Sequence, residues 1–121
     1  MPEFSTFSSK NLSTCHSDLQ KVFTEVIKHR DCRVLCGHRG MEEQNKAVAE
    51  SRSFVLWPDS KHNRRPSQAV DVVPYPIDWE DINRICEFAG FVLGVASQMN
   101  IKLRWGGDFK GFFDSPHFVL D

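Results

Sequence analysis

Leu103-Arg104-Trp105-Gly106-Gly107-Asp108-Phe109-Lys110-Gly111-Phe112-Phe113-Asp114-Ser115-Pro116-His117-Phe118-Val119-Leu120 closes the chain but for one residue. Its two ends, Leu103–Trp105 and His117–Leu120, read as short strands joined by a Gly-rich loop. An acid, Asp114, stands three residues before a histidine, with Pro116 stiffening the turn between them. Upstream lie Ser60-Lys61-His62 and Ala69-Val70-Asp71, so two histidines and a carboxylate arrive from three separate segments.

Working outward, Ala69–Val73 has strand composition and stops at Pro74 and Pro76. Asp78 is the expected N-cap of the longest helix, about Trp79 to Asn100. That helix carries an apolar stripe of Ile82, Ile85, Cys86, Ala89, Val92, Leu93, Ala96 and Met99. Ser53–Ser67 reads as loop, and Met41–Ser51 as a shorter helix with Glu42 and Glu43 at its dipole-favoured start. Arg33–Cys36 reads as a short strand stopped by Gly37. A helix begins at Leu12 and ends near Arg30, with Leu19, Val22, Phe23, Val26 and Ile27 on one face and Ser13, Thr14 or Ser17 as cap. Residues 1–11 are polar and Ser-rich, with Phe4 and Phe7 as anchors. The order implies an α+β fold, helices packed on a small, mostly antiparallel sheet.

Composition bounds the function. The 121 residues fit a single domain, 1–121, and a chain this long buries roughly two-thirds of its unfolded surface. A net charge of −1 gives no field aimed at nucleic acid or an anionic membrane. The most apolar stretch, Phe88–Ala96, is far short of the roughly 18 residues of a membrane span. The start has neither a basic nor an apolar signal region, so no signal peptide is expected. The four cysteines, Cys15, Cys32, Cys36 and Cys86, are expected to be reduced thiols.

Catalytic zinc takes three protein ligands and leaves one position open. His62, Asp71 and His117 supply such a set, and two neutral imidazoles with one carboxylate leave the site about +1. Asp114 beside it is placed to move a proton, or simply to cap a turn. Taken singly, each histidine has a plain structural reading, a solvated loop residue or a core residue. Asp71 in a Val-rich strand demands a partner. A rival set, His29, Cys32, Cys36 and His38, lacks the second Cys/His pair of a finger. Arg39 could pair with Glu42 or Glu43. The basic run Lys61–Arg65 lacks the interleaved aromatics of a nucleic-acid surface. Phe112 and Phe113 read as core, and the Trp105-Gly-Gly turn could be purely structural.

Ser60-x-His62 with Ala69-x-Asp71, then Trp105-Gly106-Gly107-Asp108 and Asp114-x-Pro116-His117-Phe118, resembles the zinc D-alanyl-D-alanine carboxypeptidase and L-alanyl-D-glutamate endopeptidase family. The resemblance is nearest to its phage endolysins. Gly37-His38-Arg39 with Glu43-Gln44 matches a further family block, and the similarity runs from about Leu12 to Leu120. It implies a hedgehog / D-Ala-D-Ala peptidase-like fold. It also implies one Zn2+ held by His62, Asp71 and His117, with Asp114 as general base and acid. Arg39 would stabilise the oxyanion or hold the substrate carbonyl. Ser60 would support the His62 loop or touch substrate, and Arg104, Trp105 and Asp108 would shape the cleft.

The implied activity is hydrolysis of the L-alanyl-D-glutamate bond of peptidoglycan stem peptides, leading to cell-wall lysis. A monomer is expected to accumulate in the host bacterial cytoplasm and leave through a pore made by another protein. A D-alanyl-D-alanine carboxypeptidase or dipeptidase, or a zinc-containing wall-binding module without hydrolysis, are the alternatives on the same fold. The sequence departs from the family in its longer loop between His62 and Asp71, in His38 where Tyr is commoner, and in Val119 where many relatives carry Glu.

Overall fold

The computed structural model describes residues 2–53, 55–111 and 113–121. Helices α1 (Thr6–Ser13) and α2 (Ser17–Val26) lead into strand β1 (Cys32–Cys36) and helix α3 (Met41–Ala49). Strand β2 (Ala69–Pro74), helix α4 (Ile82–Gln98), strand β3 (Leu103–Trp105) and strand β4 (His117–Leu120) follow. Short 3₁₀ turns occupy Lys61–Asn63 and Gly106–Asp108. The strands form one antiparallel sheet in the order β1-β2-β4-β3, so the α+β expectation holds.

Period-two alternation gives the sheet two unlike faces. Val34 opposes Val72, Val70 opposes Phe118, and Phe118 opposes Trp105. These residues all turn to the helices, where Phe118 meets the ring edges of Phe23 (5.5 Å) and Phe88 (6.4 Å). Leu19, Val22, Phe23 and Val26 of α2 are buried, as their spacing predicts. On α4 the buried stripe is Ile85, Phe88, Ala89, Val92 and Ala96. Ile82, Cys86 and Met99 lie outside it and are exposed, because the helix presents a narrower face than the sequence pattern allows. Asp81, not Asp78, caps α4, accepting from the Arg84 N–H at 3.2 Å, while Asp78 serves the turn before it. No helix among the described residues is long and apolar enough to cross a membrane.

The largest departure is at the start. The helix expected from Leu12 is two helices. Between them Cys15 bridges Ser67, and His16 caps α2 by accepting from the Asp18 N–H at 3.0 Å. Residues 6–11, expected as polar lead-in, join Leu12 and Ser13 in α1, and Phe7 is exposed rather than an anchor. This helix docks by hydrogen bonds: Ser8 Oγ accepts from the Val34 N–H (3.0 Å), and Asn11 Nδ2 donates to the Val34 carbonyl (2.9 Å). Both backbone groups of an edge-strand residue are thereby satisfied by side chains. Phe113, expected in the core, is exposed and sets its ring against Trp105 at 5.8 Å; Phe112 lies outside the described residues.

Candidate metal centre

The other face of the sheet carries Asp71, opposite His117 across the β2–β4 ladder. Cross-strand partners share a face, so two of the three expected ligands meet by register alone. The third arrives on the turn before β2. Ser60 Oγ accepts from the His62 N–H at 3.2 Å, and Asn63 Oδ1 accepts from the Ser60 N–H at 3.0 Å. That reciprocal cap winds Lys61–Asn63 into a single turn and swings His62 inward, where it is 2 % exposed.

His62 Nδ1 lies 2.8 Å from the Gly37 carbonyl. A carbonyl only accepts, so Nδ1 carries the hydrogen and Nε2 is the nitrogen left for a metal. Gly37 can approach because it has no side chain: a Cβ there would collide with Thr14 Oγ1 and the Asn11 carbonyl. His62 Nε2, His117 Nδ1 and Asp71 Oδ1 then form a triangle with edges of 3.3, 3.3 and 3.4 Å. Donors about 2.0–2.1 Å from a tetrahedral ion stand about 3.3 Å apart. The donor set and its spacing therefore fit a tetrahedral ion with an open fourth position. Among the described residues this is the one such cluster. The rival set is not assembled: His29 bonds Glu25 at 3.0 Å on the surface, and Cys32 is in the core.

Around the triangle a buried polar frame holds the three side chains in place. Arg39 Nη2 donates to Asp71 Oδ2 at 2.9 Å, so the carboxylate keeps Oδ1 for the metal side. Arg39 Nε donates to Cys36 Sγ (3.2 Å) and Nη1 to Gln44 Oε1 (3.4 Å). Arg39 does not pair with Glu42 or Glu43; the Glu43 carboxylate accepts from the Gly40 N–H instead. Gln44 is fully buried and also donates to Ser53 Oγ and the Val55 carbonyl. Asn63 Nδ2 donates to the Arg39 carbonyl at 3.1 Å. A register shift between Val34 and Cys36 brings the Cys36 position opposite Asp71. Gly37, Cys36, Gln44 and Asn63 thus serve the site without having been assigned a role from sequence. Gln44 was the findable one, a polar residue on the buried face of α3 one turn before Ala47.

Asp114 reaches the same place from the loop. Its Oδ2 is 3.9 Å from His117 Nδ1, near but not bonded. Its backbone is fixed on Gly106, whose carbonyl accepts from the Asp114 N–H at 3.0 Å and whose missing Cβ leaves room for the Asp114 carbonyl. Burial, and next the Asp71 charge, raise its carboxyl above the ordinary value. Burial also opposes ionisation of Asp71, but hydrogen bonds from His117 and His62 overcome it and hold that carboxyl well below the usual range. For His62 burial disfavours the cation. Hydrogen bonds to Asp71 and Cys36, with the Asp71 charge, outweigh it and raise the imidazole to about 9 in the metal-free protein.

The metal face opens into a cleft of about 370 Å³ lined by Arg39, Ser60, His62, Arg104, Asp114 and His117 among others. Trp105 and Asp108 are placed elsewhere. Trp105 is on the core face, 8 % exposed, and its Nε1 donates to the Ser115 carbonyl at 2.7 Å. Asp108 is exposed at the end of the 3₁₀ turn.

This architecture has known counterparts. The crystal structure of the Serratia marcescens L-Ala D-Glu endopeptidase ChiX is similar with a TM-score of 0.83 and 30% sequence identity, over 98% of this chain and 90% of that one. The sequence model of the phage L-alanyl-D-glutamate peptidases matches residues 2–120. With nearly every residue matched, the chain belongs to the phage L-alanyl-D-glutamate peptidase family.

Proposed function

We propose that this peptidase cuts the L-alanyl-D-glutamate bond of peptidoglycan stem peptides using one zinc ion held by His62, Asp71 and His117. The triangle of donor atoms, each edge near the separation of neighbouring zinc ligands, is the observation that carries the reading. Zinc in such a site polarises a carbonyl and lowers the pKa of a bound water to about 7.

The protein's own groups do the rest. Asp114, near the ligands and with raised basicity, takes a proton from the attacking water and returns it to the leaving amine. Arg39 holds Asp71 in register. Three of its five N–H groups are engaged by Asp71, Gln44 and Cys36, which leaves two to face the developing oxyanion. Ser60 fixes the His62 turn and lines the cleft. Trp105 holds the loop that carries Asp114 through its bond to Ser115, and Asp108 borders that loop.

Residues 1–121 act as one catalytic domain and as a monomer, made in the host bacterial cytoplasm and released to the wall through a separate pore-forming protein. The test is digestion of purified peptidoglycan, with and without chelator, followed by identification of the new N-termini. Free D-glutamate amino groups that vanish with chelation and return with zinc support the reading. Released D-alanine would replace it with a carboxypeptidase. Asp114→Asn should keep about one zinc per chain and lose turnover by about 10²–10⁴-fold; an active variant would remove Asp114 from the mechanism.

A further inference from the structure

Four cations line the cleft: Arg39, Arg52, Lys61 and Arg104. Three are already engaged. Arg39 pairs with Asp71 at 2.9 Å, Arg52 with Glu50 at 2.7 Å, and Lys61 Nζ donates to the Leu120 carbonyl at 2.7 Å. Arg104 forms no ion pair with a carboxylate among the described residues.

Its position is set by the sheet. Arg104 opposes Val119 on β4, and Val119 follows His117 by two residues. Cross-strand partners share a face and alternate residues return to it, so Arg104 stands on the metal face, one strand beyond His117. Its guanidinium lies over the Phe109 ring, 5.2 Å from the centroid. The same ring sits 5.7 Å from the His117 ring. Phe109 thus spaces an otherwise uncommitted cation from a metal ligand.

The substrate supplies the complementary charge. A glutamyl residue bonded through its amino group carries two carboxyls, and only one continues the chain. In stem peptides the chain continues through the γ-carboxyl, which leaves an α-carboxylate two bonds from the scissile nitrogen. That anion must enter a cleft that already holds Asp59 and Asp114. We propose that Arg104 receives this α-carboxylate and so makes the enzyme selective for stems bearing free D-glutamate over stems in which the group is amidated. The inference rests on the peptidase reading above and adds the residue that reads the leaving side. Amidation keeps the size and removes the charge, so the selectivity is electrostatic. Charge-assisted hydrogen bonds of this kind are worth about 10- to 100-fold.

Two muramyl peptides decide it, one with a D-glutamyl residue and one with D-isoglutamine at the same place, each digested by the zinc-loaded enzyme. The ratio of kcat/KM values should favour the free acid by about 10- to 100-fold. Arg104→Gln should collapse that ratio to about one, chiefly through KM on the acid substrate. Arg104→Lys should restore part of the ratio, because charge returns without the planar fork. Arg52→Gln should keep the preference. Equal cleavage of both substrates by the parent enzyme overturns the assignment alone. So does an Arg104→Gln enzyme that still prefers the acid, or an Arg52→Gln enzyme that no longer does. Failure to cut this bond in either substrate overturns the peptidase reading and the assignment together.

Discussion

His117 and Phe118 are neighbours on one strand, yet they belong to different chemistries. Phe118 is wholly buried between the rings of Phe23 and Phe88, and its side of the sheet is held by apolar packing. His117 faces Asp71, His62 and Asp114, and its side is held by charge and hydrogen bonds. The core face is what makes the other face expensive to disturb. A rigid apolar layer fixes the register that presents Asp71 to His117, so a site built from costly buried polar groups is assembled on an inexpensive support.

The contrast makes two adjacent substitutions very different. His117→Ala should abolish both activity and tight zinc binding; a variant retaining one equivalent of zinc on metal analysis would remove His117 from the ligand set. Phe118→Ala should cost about 3–5 kcal/mol of stability, read by urea unfolding, because its neighbours cannot collapse into the space. Arg39→Ala tests the frame rather than either face. It strips Asp71 of its partner, and loss of such an outer contact should weaken zinc by about 10–100-fold in a chelator competition. Unchanged zinc affinity would mean that Asp71 needs no such support.

The metal face should also respond to pH where the core face does not. Metal-free His62 is raised from its ordinary 6.5 to about 9. Its charge therefore stabilises the metal-free fold fully below about pH 6.5, and that contribution is lost as pH climbs through about 9. Zinc must displace the same proton. Calorimetry at pH 7.5 in buffers of different ionisation heat should show about one proton released per zinc, and apparent affinity should rise towards pH 9. Zinc uptake without proton release would contradict a protonated His62. The smallest effect belongs to the interior thiols. Burial pushes Cys15 and Cys32 up to about 12, so in the native protein a disulfide reagent should label exposed Cys86 and spare both until unfolding. Equal labelling of all four would show an interior looser than the packing described.

How much of this was legible in the sequence follows from what each part is made of. The stripes of α2 and α4 and the alternation in β2 announce themselves through period, since the burial of apolar side chains drives them. Helix α1 was hidden because Ser8 and Asn11 attach it by hydrogen bonds to Val34, and polar docking leaves no periodic trace. The donor set His62, Asp71 and His117 could be read as a motif. The Gly37 carbonyl and the shifted Cys36 could not, because they become partners only when distant segments close on one another. Trp105 shows the same limit in one residue. The family resemblance implies a place at the cleft, but pairing with Phe118 assigns it to the core, and register between strands is not written in either strand alone.

Gly37 joins the two ends of that lesson. It lies against Thr14 and Asn11 on one side and accepts the His62 hydrogen on the other, and the His38 N–H donates to Thr14 Oγ1 at 2.9 Å. The first helix is therefore mechanically in series with His62, a proposed metal ligand. Disturbing that helix, by loosening its bonds to Val34, should therefore be read at the site as weaker metal binding, though none of the three proposed ligands had been touched.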